Sequence, residues 1–146
     1  MVKMSQKLLL AAALVTVLNF QSCKKYDDGP TFSLKTKKSR LTREWEVVKI
    51  YDNEGTQIFP YSNSEYSFDI SFEFLKKGDF IESFKYSYET YSYSYSYKGT
   101  WEFSSNKENL LIEMDNSVDK WKINRLTKKE FWFEDSIGNE WELEAK

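Results

Sequence analysis

The stretch YSFDISFEFLKKGDFIESFKYSYETYSYSYSYKGTWEF, residues 66–103, decides the fold. Residues 66–74 alternate, with Tyr66, Phe68, Ile70, Phe72 and Phe74 on one face and Ser67, Asp69, Ser71 and Glu73 on the other. That period of two is the mark of a half-buried strand. Lys76-Lys77-Gly78-Asp79 then turns the chain, with glycine supplying the backbone freedom a tight turn uses. A second strand sets Phe80, Phe84, Tyr86 and Tyr88 in one row, and a third sets Tyr91, Tyr93, Tyr95, Tyr97, Trp101 and Phe103 in another. The rows change from even to odd numbering across Glu89-Thr90, which places a turn or bulge there.

The same short alternating segments continue on both sides. Glu44 to Tyr51 is a strand closed by Asp52-Asn53-Glu54-Gly55, and Leu110, Ile112 and Met114 face inward from another, between turns at 104–109 and 116–119. Lys120 to Leu126, Glu130 to Asp135 and Glu140 to Glu144 complete the set, with Ser136 to Asn139 as the last turn. About eight antiparallel strands in a domain over residues 41–146 predict an all-β, single up-and-down barrel, which removes exposed strand edges by closing on itself. A barrel of that size is either filled by side chains or holds one small ligand.

The composition agrees. Aromatic residues make up 18% of the 146-residue chain, against five Gly and two Pro, and flat side chains suit a pleated surface. The absence of His removes the usual general base and the commonest metal ligand. Serine–histidine and cysteine–histidine catalysis are thereby excluded. No cofactor and no metal are expected, and the acidic residues around 44–46 and 140–144 alternate outward as a solvated face rather than forming a catalytic pair. The net charge is −2; without Lys3 and Lys7 the 21 basic residues become 19 against 23 acidic, or −4. Nucleic acid is therefore a poor partner.

Ahead of the barrel, Lys3 and Lys7 precede the apolar run Leu8 to Leu18, and Ser22 precedes Cys23. This is the layout of a helical signal peptide over residues 1–22. At 1.5 Å per residue the run spans roughly 16 Å, short of the ~30 Å hydrocarbon core of a membrane. Leu18-Asn19-Phe20-Gln21-Ser22-Cys23 resembles a lipobox, where bacterial lipoprotein precursors are cleaved and acylated, so Cys23 is the expected lipidation site. The lone Cys has no disulfide partner in the chain. Residues 23–40 read as the lipidated N-terminus and a flexible tether. Lys24 to Asp28 is similar to the charged signal that sends some Bacteroidota lipoproteins to the cell surface, although a solvated linker has the same composition. The expected location is the cell envelope, anchored by lipid in the outer membrane.

Over most of residues 41–144 the chain resembles the lipocalin-like lipoproteins of the Bacteroidota. The matching residues are Leu41 and Trp45, Gly99-Thr100-Trp101-Glu102-Phe103, and Leu126-Thr127-Lys128-Lys129-Glu130-Phe131. Arg43 stands where the lipocalin Gly-x-Trp pattern has Gly. The resemblance implies a lipocalin-like barrel that binds a small apolar molecule without catalysis.

Candidate site residues follow from the rows. Tyr86, Tyr88, Tyr91, Tyr93, Tyr95 and Tyr97, with Trp101, form either a ligand-facing aromatic wall for a small hydrophobic or glycan ligand or a ladder that stabilises a hairpin. Glu82 shares the row of Phe80 and Phe84, and Arg125 that of Trp121 and Ile123. Both rows facing inward would bury two charges able to anchor a polar head group; a position at the barrel mouth, or a bulge, would leave them in water. Asp135-Ser136-Ile137 resembles an O-glycosylation acceptor at Ser136 and equally an ordinary turn. Two functions fit these features: a binding protein using the tyrosines, or an accessory protein with a filled barrel that docks on an outer-membrane protein.

Overall fold

The computed structural model describes residues 36–60 and 66–146. The leader, Cys23 and the tether as far as residue 35 lie outside the described residues. Among the described residues nine strands follow one short helix: α1 (Lys37–Leu41), β1 (Glu44–Tyr51), β2 (Gln57–Phe59), β3 (Tyr66–Phe74), β4 (Asp79–Tyr88), β5 (Tyr91–Phe103), β6 (Asn109–Met114), β7 (Ser117–Leu126), β8 (Glu130–Glu134) and β9 (Glu140–Ala145).

Every pairing is antiparallel, in the order β2-β1-β3-β4-β5-β6-β7-β8-β9, and β1 also pairs β9. The result is a closed eight-stranded barrel with β2 as an additional strand beside the end of β1. β2 is three residues long, too short to show a period.

The barrel interior is filled largely with aromatic rings. Trp121 and Phe133 stack 4.1 Å apart and 7° from parallel, and Phe133 stacks on Trp141 at 5.7 Å. Phe72 packs against Trp121 at 5.3 Å and Trp141 at 5.8 Å. Below this layer Phe74, Phe80, Phe131 and Trp45 are fully buried. Offset and tilted pairs of this kind add about 0.5–1.5 kcal/mol each beyond the area they bury.

One end is closed by α1. Thr36 caps it by accepting a hydrogen bond from the Ser39 amide, Leu41 is fully buried, and Trp45 Nε1 donates to the Leu41 carbonyl at 2.8 Å. The tether expected through residue 40 thus gives way to ordered chain from Lys37, in a five-residue helix too short for a helical period to register. Arg43 explains the departure from Gly-x-Trp: its guanidinium lies 5.6 Å from the Trp45 ring centroid and donates to the Lys128 carbonyl, tying the β7–β8 turn to the start of β1.

Candidate functional site

β3, β4 and β5 outgrow the barrel. β3 pairs β1 only through Ser71, Phe72 and Glu73, and β5 pairs β6 only through residues 100–103. The strands continue together past those points, Tyr66 opposite Tyr88 and Tyr88 opposite Tyr91. A three-stranded ribbon therefore rises from the end of the barrel opposite α1, and Glu89, at φ 48, makes its tip.

Gly99 marks where β5 leaves β6. A Cβ there would lie 2.2 Å from the Glu113 carbonyl oxygen and 2.6 Å from Met114 Cγ. The β6–β7 hairpin crosses β5 at this point because glycine leaves the space. That hairpin turns at Asp115 and Asn116, both with positive φ, the signature of a two-residue type I′ connection. The turn thus comes earlier than the expected 116–119, and β7 begins at Ser117.

Directly opposed residues of an antiparallel pair share a face, so the register fixes which way each ring points. Phe74, Phe80 and Gly99 stand in one row; above it come Phe72, Glu82 and Tyr97, then Ile70, Phe84 and Tyr95, then Phe68, Tyr86 and Tyr93, and finally Tyr66, Tyr88 and Tyr91. Phe72, Phe74 and Phe80 are barrel core. The tyrosines therefore occupy the inward face of the sheet, at a height where no opposite wall covers them among the described residues. Tyr91 is 65% and Tyr93 68% exposed, Tyr95 and Tyr97 about half, and Tyr86 and Tyr88 slightly over a third.

The rings make an ordered surface. Phe84 stacks on Tyr95 at 5.1 Å and 15°, Tyr97 meets both edge-on, Phe68 stacks on Phe84, and Tyr66 lies 6.0 Å from Tyr86. The reverse face carries serines, with Ser83 bonded to Ser96 at 2.8 Å and Ser87 to Ser92 at 3.3 Å. An aromatic face above the core and a hydroxyl face behind it distinguish the two sides chemically.

Glu82 sits where platform becomes core. It is half-buried, and burial pushes its carboxyl up to about 7, since removal from water disfavours the charged form. It has no hydrogen-bond or ion-pair partner among the described residues. Across the mouth, the carboxylates of Asp119 and Asp135 accept the indole N–H groups of Trp121 and Trp141 at 2.8 and 3.0 Å.

Two candidates fall elsewhere. Of the two readings of Arg125, an inward row shared with Trp121 and Ile123 or a bulge that turns it outward, the register shows the bulge and rules out the inward site: pairing slips between Ile123 and Arg125, leaving Asn124 as the extra residue and setting Arg125 opposite Trp132 on the outside. There it pairs with Glu130 at 2.9 Å and lies 4.9 Å from the Trp132 ring centroid. Trp101 belongs to the right row but is 5% exposed, edge-on to Phe74 and Phe103, with Nε1 donating to the Leu75 carbonyl. It supports the platform from below. Ser136 is exposed in its turn, while Asp135 accepts hydrogen bonds from the Ile137 and Asn139 amides.

Tyr66, Phe68 and Phe84 belong to the platform, although the tyrosine pattern does not single them out. Register is the available signal: a tight turn at 89–90 makes Tyr88 and Tyr91 neighbours and brings every lower row into line. Two surface clefts, of about 450 and 420 Å³, flank the Leu75–Asp79 hairpin at the α1 end. Lys77 and Asp79 line both, and each has a single aromatic residue in its lining, Phe74 in one and Trp101 in the other, against the convergent rings of the platform.

No family model and no curated protein matches the sequence. Among solved structures, the chain is similar to a lipocalin-like protein from Bacteroides uniformis, with a TM-score of 0.55 and 11% identity over 73% of this chain and 99% of that one. The closed barrel with one extra strand thus has a lipocalin-like fold.

Proposed function

We propose that this chain is a non-catalytic binding protein, exported, acylated at Cys23 and held at the outer membrane, which takes a small hydrophobic or glycan ligand on the tyrosine platform. One observation carries the reading: the inward row runs unbroken from buried Phe72 to the largely exposed Tyr91 and Tyr93. Solvent-facing aromatic rings in register mark a contact surface. Ring faces bearing hydroxyls suit apolar and sugar surfaces.

The position of α1 supports the arrangement. The described chain enters the barrel at the end opposite the ribbon tip, which suits an anchor at Cys23 with the platform turned away from the membrane. Twelve strand steps from Phe103 to Tyr91 correspond to roughly 40 Å.

The test is titration of the full chain and of a Tyr93→Ser/Tyr95→Ser variant with benzyl glucoside and with long-chain alcohols, read by tyrosine fluorescence. Saturable binding lost in the variant supports the reading; equal response of both proteins refutes it. Fatty-acid labelling abolished by Cys23→Ser tests the anchor.

A second reading, docking on an outer-membrane protein, draws support from the packed interior and from the edge of β5 over residues 91–98, which has no neighbouring strand among the described residues. Such an edge can accept a partner strand. Crosslinking in cells from position 94 distinguishes it: a reproducible membrane-protein adduct favours docking.

A further inference from the structure

Resting on the platform reading, we infer that the ligand is a small organic cation with an apolar body, its charge held by Glu82 beside Tyr95 and Tyr97 and its body on the rings above. Glu82 lies in register between Phe72 and Tyr97 on the inward face. On the same face the next row up is Phe84 stacked on Tyr95. Aromatic faces attract cations through their quadrupole, and the attraction strengthens when water is removed. A carboxylate beside them supplies the countercharge.

Charge complementarity selects the cation over a neutral or anionic occupant. A half-buried carboxyl normally has a partner, and Glu82 has none among the described residues. From β3 this face offers only apolar and tyrosine side chains, and from β5 only Tyr95 and Tyr97 flank Glu82. On β7, Asp119 adds another acid, already bonded to Trp121. Lys85 and Lys98 fall on the serine face. Lys49 pairs with Glu142 on the outside, and Arg125 with Glu130. Among the described residues the mouth thus gathers acids and rings and no Lys or Arg.

Burial already disfavours the ionised carboxylate, so cation binding and deprotonation are linked. Between pH 5.5 and pH 8.5 the ionised fraction rises about thirtyfold for a carboxyl titrating near 7, and affinity for a cation rises with it.

The experiment is calorimetric titration of the full chain with three probes sharing a benzyl group: benzyltrimethylammonium, benzyl glucoside and benzenesulfonate. Expected at pH 8.5 is at least tenfold tighter binding of the ammonium probe than of the other two, falling at least tenfold by pH 5.5. Glu82→Gln, isosteric with the protonated acid, removes both preference and pH dependence. Tyr97→Leu, which keeps the carboxylate, weakens the ammonium probe severalfold more than the glucoside. Equal affinity for all three probes, or an ammonium preference unchanged in Glu82→Gln, overturns the cation while leaving the platform standing. No binding of any probe overturns both readings.

Discussion

Phe84 and Tyr95 face each other across β4 and β5 with their rings 5.1 Å apart and 15° from parallel. They sit at the hinge between two environments. Below them the rows merge with the barrel core; above them the rings stand in water, and β5 has lost β6 as a neighbour. A cross-strand aromatic pair contributes about 0.5–1 kcal/mol beyond its burial, and this one holds the base of the ribbon.

A double-mutant cycle of Phe84→Leu and Tyr95→Leu should accordingly give a coupling free energy of about 0.5–1 kcal/mol in chemical unfolding. The same cycle on Tyr86 and Tyr93, higher on the ribbon, should give less. Hydrogen exchange supplies an independent reading: the amides of residues 91–98 that do not bond to β4 should exchange far faster than those that do, because they lack a second strand.

Substitution of Gly99 should damage the fold although the position is not in the core. In Gly99→Ala the new Cβ meets the Glu113 carbonyl, a backbone atom that no rotamer change can move. We expect a loss of roughly 2 kcal/mol or more, measured by denaturant unfolding. Gly55 differs: a Cβ added there would meet nothing within 4 Å, and only its φ of +84 opposes the change. Gly55→Ala should therefore lose only about 1 kcal/mol.

Strict alternation over Tyr66 to Phe74 and Tyr91 to Phe103 fixes strand identity and facing, because a period of two has no other geometric solution, and the barrel follows from counting such strands. Arg125 defeats the same logic: one extra residue, Asn124, reverses facing and carries no distinctive chemistry of its own. The platform's tyrosines are legible, but their exposure is not. That depends on β1 and β6 ending their pairing early, a matter of strand stagger around the barrel that no single strand's pattern contains.

Arg125→Ala should leave ligand binding unchanged and cost at most about 1 kcal/mol, since its pair with Glu130 is partly solvated. Phe133→Ala should cost about 3–5 kcal/mol, because Phe133 is fully buried between Trp121 and Trp141. Thermal unfolding of both variants separates the outer surface from the core.

Glu82 gives stability a pH dependence of definite sign. In the folded chain its carboxyl titrates near 7, against 4.5 as the ordinary value. The folded state therefore holds the proton more tightly than the unfolded state. The resulting stabilisation is complete below about pH 4.5 and is lost as pH rises through 7. Glu82→Gln keeps a neutral side chain at every pH. It should unfold with nearly wild-type stability at pH 4.5 and be more stable than wild type at pH 8.5 by roughly 1–3 kcal/mol. Equal stability of the two proteins at pH 8.5 would show that the carboxylate is solvated in the mouth. A cation at equal concentration should narrow the gap at high pH by stabilising the wild type more than the variant, because only the wild type presents the carboxylate.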